Sequence, residues 1–206
     1  MRIKLLVMVM VILGAALSAN VFADVIINEA MIDPNAVSDT YGEWIELFNT
    51  GVEDIDINSW VLKDADSNYH QINNNGPLII LANDFLVLGR NIDTNLNGNY
   101  IADYEYDSFT LANTEDEIIL ENNSTEIDSI FYNSNWPLSS GKSLAYSGIG
   151  NNNNYINWFA TPSDANYVYG IGDYGTPGAA NTIPEPSTLI LCLAGLFFWP
   201  YFKKNY

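Results

Sequence analysis

Residues 43–49 read Glu43-Trp44-Ile45-Glu46-Leu47-Phe48-Asn49, and they decide the fold. Ile45 and Leu47 stand two apart, the spacing that brings side chains to one face of a β-strand, so both are expected in a core. Glu43 and Glu46 stand three apart and therefore project to opposite faces. They are not an acid and base pair for glycoside chemistry, which needs two carboxylates aimed at one bond; they bracket the strand.

Outward from this stretch the chain keeps the same habit. Short apolar runs at 25–30, 55–62, 78–81, 85–88, 117–121 and 126–132, with weaker ones around Leu144 and Trp158, are separated by Asn-rich and Gly-rich breaks. No stretch holds a helical period for three turns, and about eight strands suit an all-β sandwich. Within 55–62, Ile55 and Ile57 share one parity while Trp60 and Leu62 share the other, so a turn or bulge is expected at Asn58-Ser59. Asn122-Asn123-Ser124 is turn chemistry between two strands. In the second, Ile127 and Ser129 face one way and Asp128, Ile130 and Tyr132 the other. No repeat of 20 to 50 residues is visible, which sets solenoids and propellers aside.

Several phrases fall in a recognisable order: Val25-Ile26-Ile27-Asn28-Glu29-Ala30, the stretch 43–49, Asp56-Ile57-Asn58-Ser59-Trp60-Val61-Leu62 and Phe85-Leu86-Val87-Leu88-Gly89. Thr110-Leu111-Ala112-Asn113, Asp116-Glu117-Ile118-Ile119-Leu120, Ile127-Asp128-Ser129-Ile130, Ser143-Leu144, Trp158 and Gly175-Thr176-Pro177-Gly178-Ala179-Ala180-Asn181 follow. Together they resemble the lamin tail domain across residues 24–181. The resemblance implies an immunoglobulin-like β-sandwich. Trp60 would cap a core filled by Ile45 and Leu47, and Gly175 and Gly178 would make the closing turn.

The charge balance narrows the partners. Between residues 24 and 186 only Lys63, Arg90 and Lys142 oppose 25 Asp and Glu, a surface that repels nucleic acid and anionic lipid. Cys192, the one cysteine, falls in the C-terminal apolar run, so disulfides and a thiol nucleophile are not expected in the domain.

Both ends read as addresses. Arg2 and Lys4 precede an apolar or small stretch, and Val21-Phe22-Ala23 offers a signal peptidase site, so residues 1–23 are expected to be removed between Ala23 and Asp24. Residues 182–188 form a polar linker holding Pro184, Glu185 and Pro186; residues 189–206 comprise an apolar run followed by Lys203-Lys204. The run is short of the ~20 apolar residues that span a bilayer comfortably, and the lysines would stay cytoplasmic by the positive-inside rule. Pro184-Glu185-Pro186, the apolar helix and the basic end resemble the PEP-CTERM sorting signal of Gram-negative bacteria. That resemblance implies recognition by exosortase, a membrane transpeptidase, and loss of the tail.

Catalytic and metal chemistry find little support. His70, the one histidine, is expected to be solvated or hydrogen-bonded, and no Gly-x-Ser-x-Gly elbow or phosphate-cradling loop appears. Asp93-Thr94-Asn95-Leu96-Asn97-Gly98-Asn99 places oxygen ligands as calcium loops do, but Tyr104 stands where the bidentate acid belongs and Asp103 is one residue early. Asp64-Ala65-Asp66-Ser67-Asn68 reads as a β-turn. Tyr155, Trp158, Phe159, Tyr167, Tyr169 and Tyr174 either stack on sugars or close the end of the sandwich.

The expectation is therefore a non-enzymatic exported protein without cofactor or metal. It crosses the inner membrane of a Gram-negative bacterium, is held transiently by its tail, and reaches the cell surface or extracellular matrix. Signal peptidase and exosortase act on it during export; exopolysaccharide or other surface proteins are its expected partners, in adhesion or matrix binding. The alternatives are a secreted hydrolase and a calcium-dependent adhesin.

Overall fold

The computed structural model describes residues 25–182. The expected cleavage site at Ala23 and Asp24, the Pro184-Glu185-Pro186 motif and the C-terminal apolar run lie outside the described residues. Among the described residues no helix is long and apolar enough to cross a membrane.

The chain runs through β1 (Val25–Met31), a one-turn helix α1 (Asp39–Gly42), β2 (Trp44–Asn49), β3 (Ile55–Asp56), β4 (Val61–Lys63), β5 (Tyr69–Gln71), β6 (Ile79–Ile80) and β7 (Phe85–Gly89). It continues through β8 (Tyr104–Glu105), β9 (Asp116–Asn122), β10 (Thr125–Tyr132), β11 (Leu144–Tyr146), β12 (Trp158–Ala160), β13 (Val168–Tyr169) and β14 (Asp173–Tyr174). Two sheets face each other, one ordered β12-β11-β1-β2-β7-β8 and the other β10-β9-β4-β5, with β3-β6 and β13-β14 as small ribbons. Among the described strands, β7 and β8 pair in parallel and the other strand pairs are antiparallel.

The period-2 pattern does what it implies. Ile45 and Leu47 of β2, Ile27 of β1 and Leu86 and Leu88 of β7 point between the sheets, where they meet Leu62, Ile118, Leu120, Ile130 and Trp60 from the other side. Ile27, Ile45, Leu47, Leu62 and Leu88 are wholly buried, each contributing roughly 1.5–3 kcal/mol of transfer free energy. The phase change in 55–62 is a turn that sends β3 and β4 into different sheets, with Ser59 at φ 75°. The Asn123-Ser124 turn closes the β9–β10 hairpin with both residues in left-handed conformation.

A bulge at Asn28 shifts the register of β1 between Ile27 and Glu29. Ile27 therefore faces the core while Glu29, two residues later, faces the outside of the six-stranded sheet opposite Glu46. Three cross-strand rows line that outer face: Met31, Trp44 and Gly89; Glu29, Glu46 and Val87; Ile26, Phe48 and Phe85. Each row meets a different environment. Tyr100 and Tyr169 pack on Trp44, with ring centroids 6.1 and 5.9 Å away, and cover the first row. The segment 175–181 lies over the second. The third stays open.

Candidate functional site

The middle row is a carboxylate pair under a strap. Glu29 and Glu46 are fully buried and directly opposed across β1 and β2. Glu29 receives hydrogen bonds from the Ser143 hydroxyl and from the Thr176 amide at 2.9 Å, and its Oε2 lies 2.6 Å from Thr176 Oγ1. Glu46 accepts from Asn28 Nδ2 at 2.7 Å and from the Gly178 amide at 2.6 Å. Asn181 ends the strap by donating from Nδ2 to the carbonyls of Asn28 and Tyr146, both at 2.9 Å. Gly175 allows the close approach, since a Cβ there would stand 3.1 Å from Ser143 Oγ and from Trp44, and Gly178 holds φ +81°.

Taking these groups out of water pushes both carboxyls up, Glu29 to about 7 and Glu46 to about 8, with the neighbouring Glu29 charge adding to the rise at Glu46. Perturbed carboxyls of this kind often mark catalytic sites. Here both are sealed beneath the strap and their oxygens are occupied by strap and strand donors, so no substrate reaches them. Glu43, on the opposite face of β2, is likewise raised to about 8 by burial; it accepts from the Leu111 amide at 3.3 Å and lies 4.0 Å from Arg90 Nε. Both glutamates thus bracket the strand on opposite faces, as their spacing implies.

The third row floors a groove of about 810 Å³. Phe48 and Phe85 stack there with centroids 4.6 Å apart and planes 22° from parallel. The far wall is the loop 147–153, which is held from inside: the Tyr146 hydroxyl donates to the Gly150 carbonyl at 2.6 Å, Trp158 Nε1 to the Asn152 carbonyl at 2.5 Å, and Asn152 Nδ2 to Asp128 at 2.6 Å. Asp128 also accepts the Ile27 amide at 2.6 Å across the two sheets, and burial lifts its carboxyl to about 6. Asn28 and Asn181 form the strap side of the groove. The Asn-rich run 151–154 thus supplies the wall through Asn151, Asn152 and Asn153. The signal that could have found it was Trp158 and Tyr146 flanking the run.

The remaining candidates resolve into structure. His70 Nε2 lies 2.9 Å from the Tyr104 hydroxyl, which itself accepts from the Asn73 amide, and Nδ1 lies 2.9 Å from Asp107 Oδ1 and 3.2 Å from the Asp107 amide nitrogen. Both ring nitrogens are engaged, and among the described residues no serine, threonine or cysteine is a partner to either. Asp93 is fully exposed and caps its own turn through the Asn95 amide at 3.0 Å; Asn97 turns inward to the carbonyls of Asn91 and Tyr100, and Asp103 binds the Val87 amide at 2.8 Å. The loop therefore converges on no common point, and no metal-holding group of His, Cys, Asp or Glu occurs among the described residues. Asp64 Oδ1 accepts from the amides of Asp66 and Asn68, a side-chain-stabilised turn.

The late aromatics form no shared platform. Trp158 is in the core against Trp136 and Tyr146, Tyr169 is packed on Trp44, and Tyr155 is exposed. Of the two readings open for them, closing the fold is right for Trp158 and Tyr169.

A family model described as Lamin Tail Domain matches residues 18–134, more than half of the chain. No curated protein matches it. The match covers β1 to β10, with Glu29, Glu43, Glu46 and the Phe48–Phe85 pair; β11, β12 and the strap lie beyond it and complete the larger sheet and its cover. The chain belongs to the lamin tail domain family.

Proposed function

We propose that the chain is an exported, surface-sorted, non-enzymatic module of the bacterial envelope or extracellular matrix that binds exopolysaccharide. The observation that carries this reading is how the titratable groups are used. Each buried carboxyl that a mechanism would draw on is closed under the strap or tied to backbone amides, whereas the open feature is a preformed groove with an aromatic floor and an amide wall. Ligand sites are commonly clefts of about 300–1,000 Å³ with apolar linings and a few fixed polar groups.

The ends supply the location. Cleavage between Ala23 and Asp24 would free β1, which starts one residue later, and the PEP-CTERM-like tail, with Pro184, Glu185 and Pro186, would be processed by exosortase. Intact-mass measurement of the native envelope protein is expected to give an N-terminus at Asp24 and a C-terminus near Pro186. Purified protein is expected to bind the organism's own polysaccharide, and a deletion strain to hold less matrix. No binding together with unchanged matrix content would sink the proposal.

A further inference from the structure

The geometry points to the groove over Ile26, Phe48 and Phe85 as a site for an uncharged glycan chain, an inference that rests on the polysaccharide-binding reading and names its site and ligand class.

Three features define the ligand. The floor is apolar and aromatic: Phe48 and Phe85 are half-buried, stacked on each other and part of the groove lining. A sugar ring has an apolar face of C–H groups that packs on such a surface, and aromatic contacts of this kind are stabilising beyond their area alone. The wall is built of carboxamides, which both donate and accept, matching hydroxyl groups that do the same. Asn153 is exposed at the rim, and its side-chain amide has no hydrogen-bond partner among the described residues.

Charge then selects among glycans. Among the described residues no Lys, Arg or His lines the groove, and the one acid there, Asp128, is committed to Ile27 and Asn152. Elsewhere in the domain Lys63 is paired with Glu121 at 2.6 Å, Arg90 is largely covered beside Glu43, and Lys142 lies away from the groove in a smaller pocket beside Asp33. A polymer carrying carboxylates, sulfates or phosphates would meet an acidic protein with no counter-charge in the site. An amine-bearing polymer would find its carboxylate partner already occupied. A neutral chain incurs neither cost. The wall is also preorganised by Tyr146, Trp158 and Asp128, so little ordering entropy is lost on binding.

The test uses the exported protein and calorimetric titration with three probes: an uncharged β-1,4-glucan hexamer, a galacturonate hexamer, and the uncharged fraction of the organism's own exopolysaccharide separated by anion exchange. At least one uncharged probe is expected to bind, and the galacturonate hexamer is not. Phe85→Ala, which removes half of the stack, and Asn153→Trp, which fills the rim from an exposed position, are each expected to weaken binding tenfold or more; the melting temperature of the Asn153→Trp protein should match that of the parent. Preference for galacturonate, or failure of both uncharged probes, would overturn the inference. Full binding of the organism's polysaccharide by both variants would overturn the groove as the site and leave the surface-module reading standing. Loss of all polysaccharide binding in the parent protein would end both.

Discussion

At Glu29 burial raises the carboxyl, and the hydrogen bonds around Thr176 can be completed by the protonated form. Asn181 Nδ2 donates to two carbonyls, so Asn181 Oδ1, 2.9 Å from Thr176 Oγ1, is an acceptor. Ionised Glu29 and Asn181 Oδ1 then compete for the single Thr176 proton. Protonated Glu29 donates to Thr176 Oγ1, and the Thr176 hydroxyl donates its hydrogen bond to Asn181 Oδ1. The native state therefore binds protons that the unfolded chain has released: folded values of about 7 and 8 at Glu29 and Glu46 stand above the ordinary 4.5. Stability must fall as pH rises from about 5 to 8, because the native state holds more protons than the unfolded state across that window. Thermal melts at pH 5 and pH 8 are expected to show the lower melting temperature at pH 8. Glu29→Gln preserves the neutral pattern, its amide donating to Thr176 and its carbonyl accepting from Ser143 and Thr176, so it should flatten the dependence; an unchanged slope in this variant would refute the assignment. None of this was legible from residues 25–31, where Glu29 shares the parity of Ile27 and reads as a core-facing intrusion. The bulge at Asn28 reverses that parity, and a bulge of one residue leaves no mark in hydrophobic alternation.

Among the elements, legibility followed length. The strands β1, β2, β7, β9 and β10, five to eight residues each, carry enough alternation to be read directly. The two-residue strands β8, β13 and β14 are too short to carry an alternation: β8 pairs with β7 across sixteen residues, and β13 and β14 pair with each other across a short turn. The 55–62 run was seen whole, and the parity break at Asn58-Ser59 correctly placed its turn. The strap was visible as a Gly and Pro phrase but its role was not, because its partners are side chains more than 130 residues away. Gly178 offers the cleanest probe of the strap. A Cβ there meets nothing within 4 Å, so Gly178→Ala acts through φ +81° alone. It should cost about 1–2 kcal/mol, the penalty for an L residue in left-handed conformation, measurable by denaturant titration at pH 5. A core counterpart, Leu47→Ala, should cost ~2–5 kcal/mol through the lost transfer energy and the cavity left behind. A strap variant as damaging as the core variant would mean that the strap folds with the sandwich instead of closing over it.

At the scale of the whole molecule, 25 acids set against three bases between residues 24 and 186 leave a net field that the sandwich must tolerate. That field was plain in the composition. The groove was not, since its floor comes from β1, β2 and β7, and its wall from the loop 147–153, which begins 58 residues after β7 and 116 after β1. The field itself yields a prediction that separates general screening from a specific ion. Exposed like charges repel across distances comparable to the Debye length, about 8 Å at 0.15 M ionic strength and 3 Å at 1 M, so added salt should raise the melting temperature. Asp93 caps its own turn, Asn97 faces inward and Asp103 holds β7, so the loop that most resembles a calcium site presents no convergent oxygens. Calcium chloride and sodium chloride at matched ionic strength should then raise the melting temperature by similar amounts, and a chelator should leave it unchanged at fixed ionic strength. A calcium-specific rise of several degrees at micromolar concentration, abolished by Asp93→Asn, would instead require the loop to rearrange around the ion and would restore the calcium-dependent adhesin as the better account of the molecule.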